Sequence, residues 1–248
     1  MSMAGIKRQI KSLTINNEPF DLFKTTFTTK LIWNEIEFKE SKNGFIPKNE
    51  LYFINMVKKH VLNNCSGVYC NRSKIKYVKE GKIKKSVYYS KDLYEIDLNS
   101  AYWNFAYKSN FIDEKLYLRG RKVSKMTRLV SLGNLAKRTQ VLKFDGNEYK
   151  LIDTLKSPET EGVFFSVSLQ TDEVMRMLEV VADRCFLFYW VDAIFFQGKK
   201  TKTEIENYLK SQNIEFKVKK INKIFKNKYG IAVFDDKGVR NFNLNKVL

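Results

Sequence analysis

Apolar and polar positions along this chain repeat with two periods, and the switches between them outline its elements. From Pro47 to Leu62 the apolar residues Leu51, Ile54, Val57 and Val61 recur at helical spacing, with Pro47 suited to the first turn. Ser124–Lys137 predicts a second helix, capped by Ser124, with Met126, Leu129, Val130, Leu132 and Leu135 in one stripe and Lys125, Arg128 and Lys137 on the other face. Ser100–Tyr107, Ser166–Ala182 (Val167, Val174, Met177, Leu178, Val181) and Lys202–Leu209 also read as helices. Residues 1 to about 45 read as short strands and loops, with strands at Phe20–Phe27 and Lys30–Phe38. Lys74–Tyr89 predicts a basic hairpin turning at Glu80-Gly81-Lys82, and Val141–Ile152 predicts another turning at Asp145-Gly146-Asn147. Phe216–Ile224 and Tyr229–Phe234 are expected to pair, with Asp235–Gly238 as the next turn. The order of elements is that of an α+β fold.

Two strands differ from the rest. Leu93–Ile96 is apolar apart from Glu95 and then delivers Asp97; Cys185–Val191 is apolar throughout and then delivers Asp192, inside an expected hairpin over Phe188–Phe196. A lone aspartate after a strand is most often a turn residue or a cap. Two of them on neighbouring strands would instead form a site for divalent metals and a nucleoside triphosphate.

Composition narrows the choice. With 248 residues, 44% of them hydrophobic, the chain can bury a sizeable core. Its 19 Phe and 13 Tyr argue against disorder. A formal net charge of +18 points to a polyanionic partner, nucleic acid before an anionic membrane, although AT-rich coding bias toward lysine yields a similar composition. Cys65, Cys70 and Cys185 make no disulfide framework. With His60 as the sole histidine, a four-ligand zinc site and a histidine-based triad are both disfavoured. No apolar run reaches the roughly 18 residues of a spanning helix, and the first residues lack a signal-peptide apolar region. A cytoplasmic location is expected.

In this order the motifs resemble the palm domain of family B DNA polymerases, over roughly residues 90–235. Asp97-Leu-Asn-Ser-Ala-Tyr102-Trp103 is similar to motif A of that family, Asp-x-x-Ser-Leu-Tyr-Pro. Phe188-Tyr-Trp-Val-Asp192-Ala-Ile is similar to motif C, Tyr-Gly-Asp-Thr-Asp-Ser-Ile, with Asp192 on the metal-binding acid. Arg128-Leu-Val-Ser-Leu-Gly-Asn-Leu-Ala-Lys137 resembles motif B, with Arg128 on the lysine that holds the triphosphate, and Lys226-Asn-Lys228-Tyr229 resembles the Lys-x-Tyr element that holds the primer. Trp190 stands where motif C has its first acid, Trp103 where motif A has proline, and Leu132-Gly133 and Leu135-Ala136 where motif B has Asn-Ser and Tyr-Gly.

The resemblance implies an antiparallel sheet with packed helices, reduced fingers (about residues 122–138) and a C-terminal hairpin within a palm-like region 91–248, after an N-terminal region 1–90. It implies Asp97 and Asp192 as catalytic metal ligands for Mg²⁺ or Mn²⁺, and Tyr102 as the wall that excludes a 2′-hydroxyl. Arg128, Lys125 and Leu98 would belong to the nucleotide site; Lys226, Lys228, Tyr229 and Lys137 would lie along DNA. The expected activity is extension of a DNA 3′ end with dNTPs without proofreading, on primer-template or single-stranded DNA and with replication partner proteins. A viral or mobile-element source would suit it, and then an infected host cell. Two other functions compete: a degenerate palm serving as a DNA-binding module, and a two-metal nuclease with Glu95 as a further acid.

Overall fold

The computed structural model describes residues 3–24, 28–41, 48–81, 83–84 and 88–243. The chain opens on α1 (Met3–Ile15), where irregular strands were expected. Ile6 and Leu13 are buried on one face, and Ile10 packs beside them. Strands β1 (Phe20–Lys24), β2 (Thr28–Trp33) and β3 (Ile36–Ser41) follow. The expected strand Lys30–Phe38 is in fact a hairpin, because Asn34 and Glu35 take φ of 48° and 64° and reverse the chain. Helix α2 (Lys48–Asn64) is the expected one; Pro47 lies outside the described residues.

The basic hairpin does not form. β4 (Val78–Glu80) pairs with Phe188, Tyr189 and Trp190, and β5 (Tyr88–Tyr89) pairs with Ile224 and Phe225, in different sheets. Gly81 serves close approach rather than a turn: a Cβ there would lie 2.7 Å from the Phe186 carbonyl oxygen and 2.9 Å from that of Leu187. Next come β6 (Leu93–Leu98), α3 (Ala101–Lys108) and an unexpected α4 (Glu114–Arg121), whose N-cap Asp113 accepts the Leu116 N–H at 2.7 Å.

Helix α5 (Lys125–Gly133) has Ser124 as its N-cap, as expected, but it is rotated from the expected stripe. Met126 and Leu129 are exposed, while Thr127 and Ser131 are buried with Leu132. Glu50 of α2 is the cause: it accepts hydrogen bonds from the Ser124 and Thr127 hydroxyls, which hold its carboxyl below the usual range against the opposing effect of desolvation. β7 (Thr139–Phe144) and β8 (Tyr149–Leu155) form the expected hairpin, with the Asp145 carboxylate accepting the Asn147 and Glu148 N–H groups.

The long α6 (Pro158–Ala182) leads into β9 (Phe186–Trp190), β10 (Ala193–Gln197) and α7 (Lys199–Ser211). The apolar run at Phe216 splits into β11 (Phe216–Ile221), which joins β6, and β12 (Lys223–Asn227), which pairs with β13 (Gly230–Asp235) before β14 (Gly238–Phe242).

Contacts divide the chain into two compact units. The first holds residues 1–69 and 111–164; the second holds 70–110 and 165–248. The segment 111–164 therefore groups with the N-terminal region, not with the C-terminal part that the sequence suggested. The first unit carries the antiparallel sheet β3-β2-β1-β7-β8, closed by Leu13, Phe20, Leu22, Leu31 and Phe144. The second carries two antiparallel sheets, β11-β6-β10-β9-β4 and β14-β13-β12-β5. They share a core of Leu93, Phe188, Phe195, Ile224, Ile231 and Val233. The α+β class is as expected.

Candidate active site

In the second unit β6 and β10 are antiparallel neighbours, with Asp97 opposite Ala193 and Ile96 opposite Ile194. The β9–β10 hairpin closes at Trp190 and Ala193, which leaves Val191-Asp192 as a two-residue turn. Asp192 therefore sits one register step from Asp97 on the adjoining strand. The Leu98 N–H donates to the Asp192 carbonyl at 2.9 Å and fixes that register. Leu93, Ile96 and Leu98 are fully buried while Asp97 is half-buried, so β6 is anchored along its length and presents its acid at the end. The Leu98 side chain is fully buried, so it is not open to a nucleotide.

Three non-glycine residues with positive φ lie around this end of the sheet. Val191 takes φ of 56°, Ser100 at the start of α3 takes 46°, and Tyr77, whose carbonyl accepts the Val191 N–H, takes 50°. A β-branched side chain in this region crowds its own backbone, at a cost on the order of 1–2 kcal/mol. Val191→Asn is expected to stabilise the fold by about 1 kcal/mol, because Asn tolerates the left-handed region. A urea titration that shows no gain would mean that the turn is unstrained.

Tyr102 lies in the first turn of α3 and is half-buried. Burial pushes its phenol well above the ordinary range, and Tyr77, Asp192 and Asp172 add to this, while a hydrogen bond with Ser168 opposes it. Tyr102 is thus a neutral phenol close enough to Asp192 to feel its charge. Beneath it lies a polar cluster that was not read from the sequence. Asp172, 2% exposed, accepts the Tyr189 hydroxyl at 2.8 Å and the Lys76 N–H at 3.3 Å, and pairs with Arg176. The signal was available: on α6 the buried positions Ser168, Thr171 and Asp172 interrupt the apolar stripe of Val167, Met175 and Leu178. Met177, assigned to the stripe, is exposed.

Glu95 shares the strand face of Asp97, as alternation predicts, but it is committed elsewhere. It is 2% exposed and receives both arms of Arg240, at 3.0 and 2.5 Å, together with Lys219 at 3.3 Å. Arg240 also pairs with Asp235 at 3.0 Å. These contacts join β6, β11, β13 and β14. As a further metal ligand Glu95 is a poor candidate, since its lone pairs already hold cations.

The remaining candidates separate. Lys226 pairs with Glu80, and its side chain is only 14% exposed. Lys228 and Tyr229 are exposed at the β12–β13 turn, with the ammonium 4.9 Å from the ring centre. Lys125, Arg128 and Lys137 belong to the first unit. Lys125 and Lys137 are exposed. Arg128 donates to the carbonyls of Gly120 (3.0 Å) and Val123 (2.8 Å) and so closes the C-terminal end of α4; burial, with Arg121 nearby, lowers its pKa.

Among the described residues no group of three or more His, Cys, Asp or Glu side chains could hold a metal ion. A pair of carboxylates still suits Mg²⁺, which keeps several waters and takes substrate phosphates as ligands. No helix of the described residues is long and apolar enough to cross a membrane. No family model and no curated protein matches the chain.

Proposed function

We propose that this chain is a compact nucleotidyltransferase that extends a DNA 3′ end with dNTPs, built on a palm like that of family B DNA polymerases. The observation that carries the proposal is the pairing of β6 with the β9–β10 hairpin, which supports Asp97 and Asp192 as neighbouring carboxylates at one end of a buried sheet. The reaction joins the 3′ oxygen to the α-phosphorus, breaks the bond to the β-phosphate and releases pyrophosphate. The two carboxylates would hold Mg²⁺ or Mn²⁺, which lowers the pKa of the attacking hydroxyl and neutralises charge on the phosphates.

The chain's own groups do the positioning. The β-sheet fixes where the carboxylates stand. Tyr102, held by Ser168 near Asp192, would wall the sugar pocket with a neutral ring. Tyr102→Ala is expected to weaken discrimination against ribonucleotides by at least about tenfold, about 1.4 kcal/mol of exclusion lost. Tyr102→Phe, which keeps the ring, should retain the discrimination. Competition between dNTP and rNTP in single-nucleotide addition measures both, and unchanged selectivity in Tyr102→Ala would remove the residue from this role.

A second reading is a degenerate palm that binds DNA without chemistry. Trp190 in place of the first acid of motif C and the engagement of the Arg128 guanidinium with Gly120 and Val123 favour it. The nuclease reading loses its motivation with Glu95 bound to Arg240.

A further inference from the structure

The sheet β14-β13-β12-β5 turns Ile224, Ile231 and Val233 toward the neighbouring sheet. Strand alternation then places Tyr88, Lys223, Phe225 and Phe234 on the opposite, outward face. The register agrees: Tyr88 lies opposite Phe225, and Lys223 opposite Phe234. Tyr88 is 56% exposed, and its ring stacks on Phe225 with centroids 4.3 Å apart and planes 20° from parallel. The Lys223 ammonium lies 3.6 Å from the Tyr88 ring centre and 5.6 Å from that of Phe234. At the tip of the same sheet stand Tyr229, 71% exposed, and Lys228.

Aromatic rings presented by strands, with lysines among them, have the chemistry that holds single-stranded nucleic acid. Rings stack on bases whatever their sequence, and ammonium groups meet phosphates. We infer that the outward face of this sheet is a stacking platform for single-stranded DNA, with Tyr88 and Phe225 as the base contacts and Lys223 as a phosphate contact. The net charge of +18 gives the long-range attraction that such a strand needs. A cation over an exposed ring is held more weakly than a stacked base, so an arriving base takes the Tyr88 face and Lys223 moves to the adjoining phosphate. The Lys226–Glu80 pair lies on the inner face, so it does not neutralise this surface. The inference deepens the proposed function by giving a strand a path over the molecule, and binding is measured without metal or nucleotide so that the two can fail separately.

The test is fluorescence anisotropy with a labelled single-stranded DNA and an abasic strand of equal length, in EDTA. Tyr88→Ala is expected to weaken binding to the base-bearing strand by about tenfold, to leave the abasic strand unchanged, and to be rescued by Tyr88→Trp. Lys223→Gln is expected to reduce the slope of log K against log salt by about 0.7. Wild-type affinity in Tyr88→Ala, or an equal loss on the abasic strand, would overturn the platform and leave only non-specific attraction between charges.

Discussion

Glu95→Ala is expected to lower the unfolding free energy by about 3 kcal/mol, at the lower end of the range for breaking a buried ion pair. The carboxylate is almost fully buried, and its loss takes the bidentate partner from the Arg240 guanidinium, leaving it to Asp235. The cost falls short of the maximum because the Arg240 and Lys219 side chains are 36% and 42% exposed and water can recover part of their solvation. Replacing both partners by Met should recover only part of the loss, since Asp235, 12% exposed, then loses its pairing with Arg240. Urea unfolding of the single and double variants measures this. Activity separates a structural from a chemical role. Glu95→Gln, which keeps the shape and part of the hydrogen bonding, should incorporate nucleotide at a rate near that of the native chain. A folded Glu95→Gln protein without activity would instead make Glu95 a further acid of the site.

The second large effect concerns the carboxylates. Asp97→Asn and Asp192→Asn are each expected to slow nucleotide addition by about 10³-fold or more, about 4 kcal/mol of transition-state stabilisation. Asparagine keeps the shape and the backbone register but removes the negative charge that would hold a divalent cation. If the two acids act on the same ions, as proposed, the double variant should be little slower than either single one. Rates that multiply would mean that the two residues work independently, against a shared site. Neither change should lower stability by more than about 0.5 kcal/mol, because Asp97 is half-buried and asparagine keeps the shape of the side chain.

How much of this was legible in the sequence depended on whether a signal was local. The apolar runs that lead to Asp97 and Asp192 could be read directly as buried strands, although β6 continues to Leu98 and β9 stops at Trp190. The Val191-Asp192 turn was expected as a hairpin, but its positive φ was not, since Val is the wrong residue for it. Helix α1 could have been found from the spacing of Ile6, Ile10 and Leu13, and was hidden by the polar residues between them. The fate of β4 and β5 was not legible: Val78 and Tyr88 have ordinary strand character, and their partners lie over a hundred residues away. Asp172 and Glu95 were the least visible in role. A buried acid looks like any other until its cation, Arg176 or Arg240, is brought to it by the fold. The division into units was obscured for the same reason, because β7, within residues 111–164, pairs with β1, far upstream.

The most direct measurement is metal-dependent incorporation of labelled dNTPs on a primed template and on an unprimed strand, comparing the native chain with Asp97→Asn/Asp192→Asn. Extension in Mg²⁺ or Mn²⁺ that disappears in the double variant, while both proteins bind the DNA equally, is the predicted result. DNA binding with no incorporation by the native chain on either substrate would contradict a polymerase site and leave a DNA-binding module in its place.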